Sequence, residues 1–300
     1  MTRVFFSHEY VSASYSFETT RKSAWVADSL ERSAISGVEI VEPSPVSGRQ
    51  LAEVHDVEYV RAVKEGEPRA LAESQGFVWD RGLWRMVRAS TGGVVAAALA
   101  ALDEGVSGSL SSGLHHARYD RGAGFCTFNG LVIAAKAALN AGASRVLILD
   151  LDAHCGGGTE SLIGDEPRIA QLDVAVDSYD HYSPSAQARL VVVRRGSDYL
   201  SAIRQVLAQA DQRGEAFDLC LYNAGMDPFE HCPTGGLSGI TQDVLGERER
   251  LVFAWCKRRR MPVAFVLAGG YIGEHLDADG LVALHRLTLS AAAESARPSP

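Results

Sequence analysis

The sequence predicts an α/β protein: a single domain with a mostly parallel central β-sheet and helices on both faces. Two patterns predict it. Continuously apolar, β-branched runs recur along the chain, and between them lie segments whose apolar residues repeat with the helical period. Strands buried on both faces read as unbroken apolar runs, and parallel neighbours need a helical crossover between them. The length of 300 residues, 46% of them apolar and 22% charged, suits one such sheet around a large core.

The apolar runs are "GVEIVEP" from 37, "SRVLILDL" from 144, "RIAQLDVAV" from 168, "ARLVVVRRG" from 188, "FDLCLYNAG" from 217 and "MPVAFVLAGG" from 261. Helical periodicity covers 20–34, 51–65, 83–102, 131–139, 199–212, 241–257 and 281–293. A shorter strand-like stretch, "SGSLSSG", begins at 107. No repeat or change of composition marks a second domain, so 1–294 reads as one unit, and "SARPSP" at 295–300 reads as a disordered tail.

Composition limits the functional classes. A formal net charge of −8 argues against a nucleic-acid partner, which would require a basic face. The basic run from Lys257 to Arg260 reads as the capped end of a helix. Cys126, Cys155, Cys220, Cys232 and Cys256 show no CxxC spacing and are odd in number, which fits reduced thiols in the cytoplasm. No signal-like start and no run of 18 apolar residues is present, so neither export nor membrane insertion is expected.

Chemistry concentrates at the ends of four strand-like stretches. In "VLILDLDAH" from 146, alternation along a strand places Asp150, Asp152 and His154 on one face. Buried charges must be paired or bind a metal, and Asp with His at i and i+2 suits a small divalent cation such as zinc. Gly156, Gly157 and Gly158 follow and let backbone approach closely. "SGLHHARYDRGAGFCTFNG" from 112 supplies the adjacent His115 and His116, and "LYNAGMDPFEHCPTGG" from 221 puts Asp227 just past a strand. "VLAGGYIGE" from 266 adds Tyr271 after a glycine pair. Each segment alone has a plainer reading, as a glycine turn, a pair of packed histidines or an Asx turn. Together they deliver Asp, His and Tyr to what reads as one pocket.

In this order, "GLHHA…GFC…FN", "DLDAH", "NAGMD…GGL" and "GGY" resemble the zinc-dependent histone deacetylase family, within the arginase/deacetylase fold. The resemblance runs from about Val4 to about Leu289, and "STGG" at 90–93, "DRGAGFC", "DLDAH" and "YNAGMD" are most similar to the class IV branch. It implies that Asp152, His154 and Asp227 bind one zinc ion and that the activity is hydrolysis of an acylated amine. His116 would be general base and acid, with His115 as its electrostatic partner, held by Asp150, and Tyr271 would donate to the oxyanion. Gly124 and Phe125 would line the substrate tunnel. A potassium ion near the backbone of Asp150, Asp152 and His154 is a further implication. The substrate would be an acyl-lysine peptide, an acylpolyamine or a small biosynthetic amide.

Two positions depart from the family pattern. Gly157 stands where Asp or Asn usually accepts a hydrogen bond from the second histidine. With no side chain there, His116 is expected to be oriented by a water or a backbone carbonyl, or to be held poorly, and Gly157→Asn to raise the rate if it has no orienter. Cys155 replaces the usual His or Gln, and alternation turns it away from His154, toward a packing role. Cys232 and Thr234 alter the tunnel rim. A ureohydrolase would need a further carboxylate after His154, where Cys155 and Gly156 follow. The alternative from another class is a catalytically weak acyl-binding or scaffold protein, for which Gly157 speaks.

Overall fold

The computed structural model describes residues 1–13 and 18–297. Among these, the strands are β1 (Thr2–Phe5), β2 (Val38–Val41), β3 (Val106–Ser109), β4 (Val146–Asp150), β5 (Ile169–Ala175), β6 (Ala188–Val192), β7 (Leu219–Ala224) and β8 (Val263–Leu267). They form one sheet in the order β2-β1-β3-β8-β7-β4-β5-β6, and every neighbouring pair is parallel. The predicted class is the observed one.

Alternation within the central strands builds two cores. Leu147, Leu149, Leu172 and Tyr222 face α1 (Glu18–Arg32), α8 (Tyr199–Gln212), α9 (Gln242–Arg258) and α10 (Ala278–Ser295). Val146, Ile148, Leu221 and Val266 face the opposite layer, built on α3 (Val57–Glu65), α5 (Arg81–Glu104) and α6 (Gly130–Asn140). By length and composition α5 would pass for a membrane span, but 67% of that stretch is buried inside the fold, against the sheet and α6.

Three short helices complete the set: α2 (Gly48–Ala52), α4 (Arg69–Ala72) and α7 (Gly157–Ile163). The continuous helix expected over 51–65 is interrupted because the Asp56 carboxylate accepts the amides of Glu58 and Tyr59 and starts α3 afresh. β1 is too short to stand out in the sequence, and α7 begins on glycines. Of the tail expected at 295–300, Ser295 ends α10, and 298–300 lie outside the described residues.

One buried cation ties α9 to the functional end of the sheet. The Arg248 guanidinium donates to the carbonyls of Leu151 (3.2 Å) and Gly225 (2.6 Å), just past β4 and β7, and pairs with Glu249 at 2.6 Å. Neither side chain of the pair is exposed. Arg248→Met removes the cation beside buried Glu249, leaving it the Tyr222 hydroxyl as partner, and takes the guanidinium from both carbonyls. The expected outcome is a loss of about 3–5 kcal/mol in denaturant unfolding, whereas a midpoint unchanged from the parent would show that the clamp contributes nothing.

Candidate active site and metal centre

Ligands gather at the carboxyl ends of parallel strands, where loops leave the sheet, and that edge is the polar one here. The register sets Asp150 on β4 between Asp173 on β5 and Asn223 on β7, all fully buried. Asn223 donates to Asp150 Oδ1 at 2.8 Å, and Asp150 Oδ2 lies 2.7 Å from His115 Nδ1. Asp173 is pushed above the usual carboxylate range by burial and by the like charge of Asp150.

β4 ends at Asp150 and does not continue to His154, as strand alternation had required. The Asp150 carboxylate accepts the amide of Asp152 (3.2 Å), and the Asp152 carboxylate accepts the amide of His154 (3.0 Å). Each carboxylate thus bonds the backbone two residues on and takes the segment out of the ladder. The turns still bring Asp152 and His154 against Asp227, which follows β7, and these three residues place one ligand atom each within 4.8 Å of one another.

His154 Nδ1 lies 3.1 Å from Asp152 Oδ1 and 3.2 Å from Asp227 Oδ2. Burial disfavours its cation, but the two carboxylates outweigh it and raise His154 to about 11. Asp227 is raised to about 6 by burial and by the charge of Asp152. Its Oδ2 is buried without a hydrogen bond of good geometry. Two carboxylates, an imidazole and an unspent acceptor make a donor set that calls for a positive charge and suits zinc.

The two histidines of the 115–116 pair have separate partners. Their rings are 3.9 Å apart; His115 faces Asp150, and His116 Nδ1 lies 2.9 Å from Asp180 Oδ2. Burial lowers the basicity of His115, but Asp150 and Asp152 reverse that and lift it to about 10. Burial, followed by the neighbouring His115, lowers His116 to about 4.

His116 and His154 reach a cavity of about 750 Å³, whose lining also includes Gly124, Phe125, Tyr179 and Tyr271. A model of the histone deacetylase domain matches residues 16–285. The chain belongs to the histone deacetylase family.

Within that family the chain is 30% identical over 247 residues to histone deacetylase 2 of Arabidopsis thaliana. The match covers 78% of this chain and 63% of the plant protein, just under two thirds of its length. An uncharacterized protein of Picosynechococcus is 30% identical over 247 residues, covering 81% of this chain and 82% of that one. An acetylpolyamine aminohydrolase from Burkholderia pseudomallei superposes with a TM-score of 0.79 at 20% identity, over 97% of this chain and 98% of that one. The last likeness is one of fold, and the fold is that of the arginases and deacetylases.

One expectation about this family member is overturned. His116 does not lack a carboxylate: Asp180, in the loop after β5, provides one. A Cβ at position 157 would lie 2.3 Å from the Asp180 carbonyl oxygen and 2.7 Å from its Oδ1. Gly157→Asn therefore clashes where it was expected to help. Cys155 is buried against Ala175, Tyr182 and Ala188. It packs as expected, although the strand whose alternation suggested this ends at Asp150, and burial pushes its thiol up to about 12.

Gly124 and Phe125 both have left-handed φ, 49° and 64°. At 124 a Cβ would lie 2.5 Å from the His116 ring, so glycine lets this backbone lie against the imidazole. Phe125 stacks on Phe77 with centroids 5.4 Å apart. Across the cavity Tyr179, which the sequence reading missed, stands edge-on to His116 (4.9 Å) and to His154 (6.0 Å). Lys22 was also missed; it is buried behind the site and donates to the Ala268 carbonyl. Burial lowers its ammonium to about 8.

A neutral imidazole braces the loop that carries Phe125. His55 Nδ1 lies 2.8 Å from the Arg118 carbonyl, so it is the protonated nitrogen, and Nε2 accepts the Asn129 amide at 2.9 Å. Protonating Nε2 would oppose two donors, and burial lowers this group to about 4. A folded pKa below the unfolded value of roughly 6.5 means that the unfolded state binds the proton first. The His55 contribution is thus intact above about pH 6.5 and is lost as pH falls toward 4, about 2 kcal/mol of it by pH 5. Urea unfolding of His55→Asn at pH 7 and pH 5 should show a drop smaller than the parent's by that amount; equal drops would remove the brace from the account.

Proposed function

We propose that the chain is a zinc-dependent amide hydrolase that removes an acetyl or longer acyl group from a lysine-like or other acylated amine. Within the family we assign it to the class IV branch, on the motifs at 90–93, 120–126, 150–154 and 222–227. The observation that carries the reading is the convergence of Asp152, His154 and Asp227, with His154 opening beside a neutral His116 into one aromatic-walled cavity. An acyl-lysine peptide, an acylpolyamine or a small biosynthetic amide fits the reaction. The relative solved from Burkholderia is an acetylpolyamine aminohydrolase.

Held by Asp152, His154 and Asp227, zinc supplies polarisation of the scissile carbonyl and acidification of a water molecule. His116 takes a proton from the attacking water as its oxygen bonds to the carbonyl carbon. With Nδ1 turned to Asp180, its Nε2 is the nitrogen left for this work. The same proton then passes to the departing nitrogen as the C–N bond breaks, giving a carboxylic acid and a free amine. His115, kept positive by Asp150, adds a fixed charge beside the reacting centre. Tyr271 donates to the developing oxyanion, a contribution of about 3–4 kcal/mol for one such donor. The Gly124 backbone and the Phe125 ring hold the linker of the substrate.

A structural potassium ion beside the backbone of Asp150, Asp152 and His154 is part of the same reading. The free buried cysteines fit a reducing cytoplasm. The acyl-binding alternative rested on the bare position 157, and the contact between His116 and Asp180 removes that support.

The direct test is amine release from a panel of acetyl- and longer-acyl lysine peptides, acylpolyamines and simple amides, with metal content measured on the same preparation. The expected result is turnover that a chelator removes and zinc restores. Stoichiometric zinc without amine release from any member would favour the acyl-binding reading. Asp227→Ala should lose both metal and activity. Tyr271→Phe should keep its metal while kcat falls about 10²- to 10³-fold; parental kcat would exclude the oxyanion role.

A further inference from the structure

We propose that Asp180 is the positioning residue for His116, supplied from the loop after β5 in place of a side chain at position 157. Its carboxylate fixes the imidazole tautomer that leaves Nε2 unprotonated. The inference rests on the hydrolase reading for its kinetic consequence, but not for its structural one.

The Asp180 carboxylate is held on every side. Oδ2 accepts His116 Nδ1 and the Gly158 amide, each at 2.9 Å, and Oδ1 accepts the Arg118 guanidinium. Its side chain is 8% exposed. Burial works against its charge, but hydrogen bonding from His116 and the nearby Arg118 prevail and keep it below the usual carboxylate range. A carboxylate that is ionised at neutral pH accepts only, so the proton between Asp180 and His116 belongs to Nδ1.

The backbone shows the same commitment. Asp180 adopts φ 57°, in the left-handed region that non-glycine residues enter at a cost and that clusters at functional positions. Its carbonyl oxygen and Oδ1 fill the space that a Cβ at 157 would occupy. Glycine at 157 and the carboxylate at 180 are therefore two halves of one arrangement.

The paired histidines are also made unequal. His115 faces Asp150, with Asp152 3.6 Å from its other nitrogen, so negative charge surrounds it. Arg118 offsets the charge of Asp180, so this carboxylate orients His116 without a comparable surplus of negative charge.

The test uses the full chain loaded with zinc. ¹⁵N imidazole spectra at pH 7 should show His116 protonated at Nδ1 and bare at Nε2. Asp180→Ala should move it toward the Nε2-protonated form, with metal content unchanged. On the best substrate of the panel, kcat should fall about 10²- to 10⁴-fold while KM stays within about twofold. Gly157→Ala, which wedges Asp180 away from the other side, should produce the same spectral and kinetic signature and serves if Asp180→Ala does not fold. A His116 tautomer that is unchanged in these variants would overturn the proposal, as would a parental kcat. If the parent hydrolyses nothing, the hydrolase reading fails, and the spectra still decide whether Asp180 sets the tautomer.

Discussion

Asp150, Asp152, Asp173 and Asp227 are buried together at one end of the sheet, and most polar contacts in the cavity answer to their charge. Removing a carboxylate from water costs several kcal/mol unless a cation or hydrogen bonds replace the hydration. Asn223 and His115 serve Asp150, backbone amides serve Asp152 and Asp227, and His154 is drawn into the positive form between its two neighbours. A proton on His154 is thus the alternative occupant of the place where a metal would bind. Loading the site should release it, which links metal affinity to pH.

The sheet makes this crowding affordable in structural terms. Asp150, Asp173 and Asn223 are fixed by ladders on both sides, so neither carboxyl group can turn toward solvent. Arg248 closes the arrangement from beneath by holding the carbonyls that immediately follow β4 and precede Asp227. The carboxylate-rich edge is consequently braced from the sheet and from beneath. The walls above it, Phe125 and Tyr179, are half-exposed and belong to loops.

The sequence made the floor of the site legible and left its supports obscure. Asp152, His154 and Asp227 follow apolar runs, and the 115–116 pair follows a short strand-like stretch, where pattern and residue type agree. Asp180 lies in "DSYDHYSPS", which has no apolar period, and its partner His116 is 64 positions earlier. His55 looks like one more helical histidine until Arg118 and Asn129, 63 and 74 positions away, come against its two nitrogens. The split of the helix over 51–65 and the end of β4 at Asp150 were missed for a common reason. A carboxylate that bonds its own backbone interrupts a periodic element without disturbing the hydrophobic pattern.

The position of β8 has a consequence for how the chain comes together. β8 is the last strand in sequence, yet it lies in the middle of the sheet between β3 and β7. While the ribosome still holds the segment from 263 onward, β2-β1-β3 and β7-β4-β5-β6 have no common strand to join them. Each ends in a bare edge of unpaired backbone groups, apolar on β7, of the kind that invites pairing with another chain. The nascent chain is therefore most exposed to aggregation just before its final strand is released, and a holding chaperone would find its targets at β3 and β7.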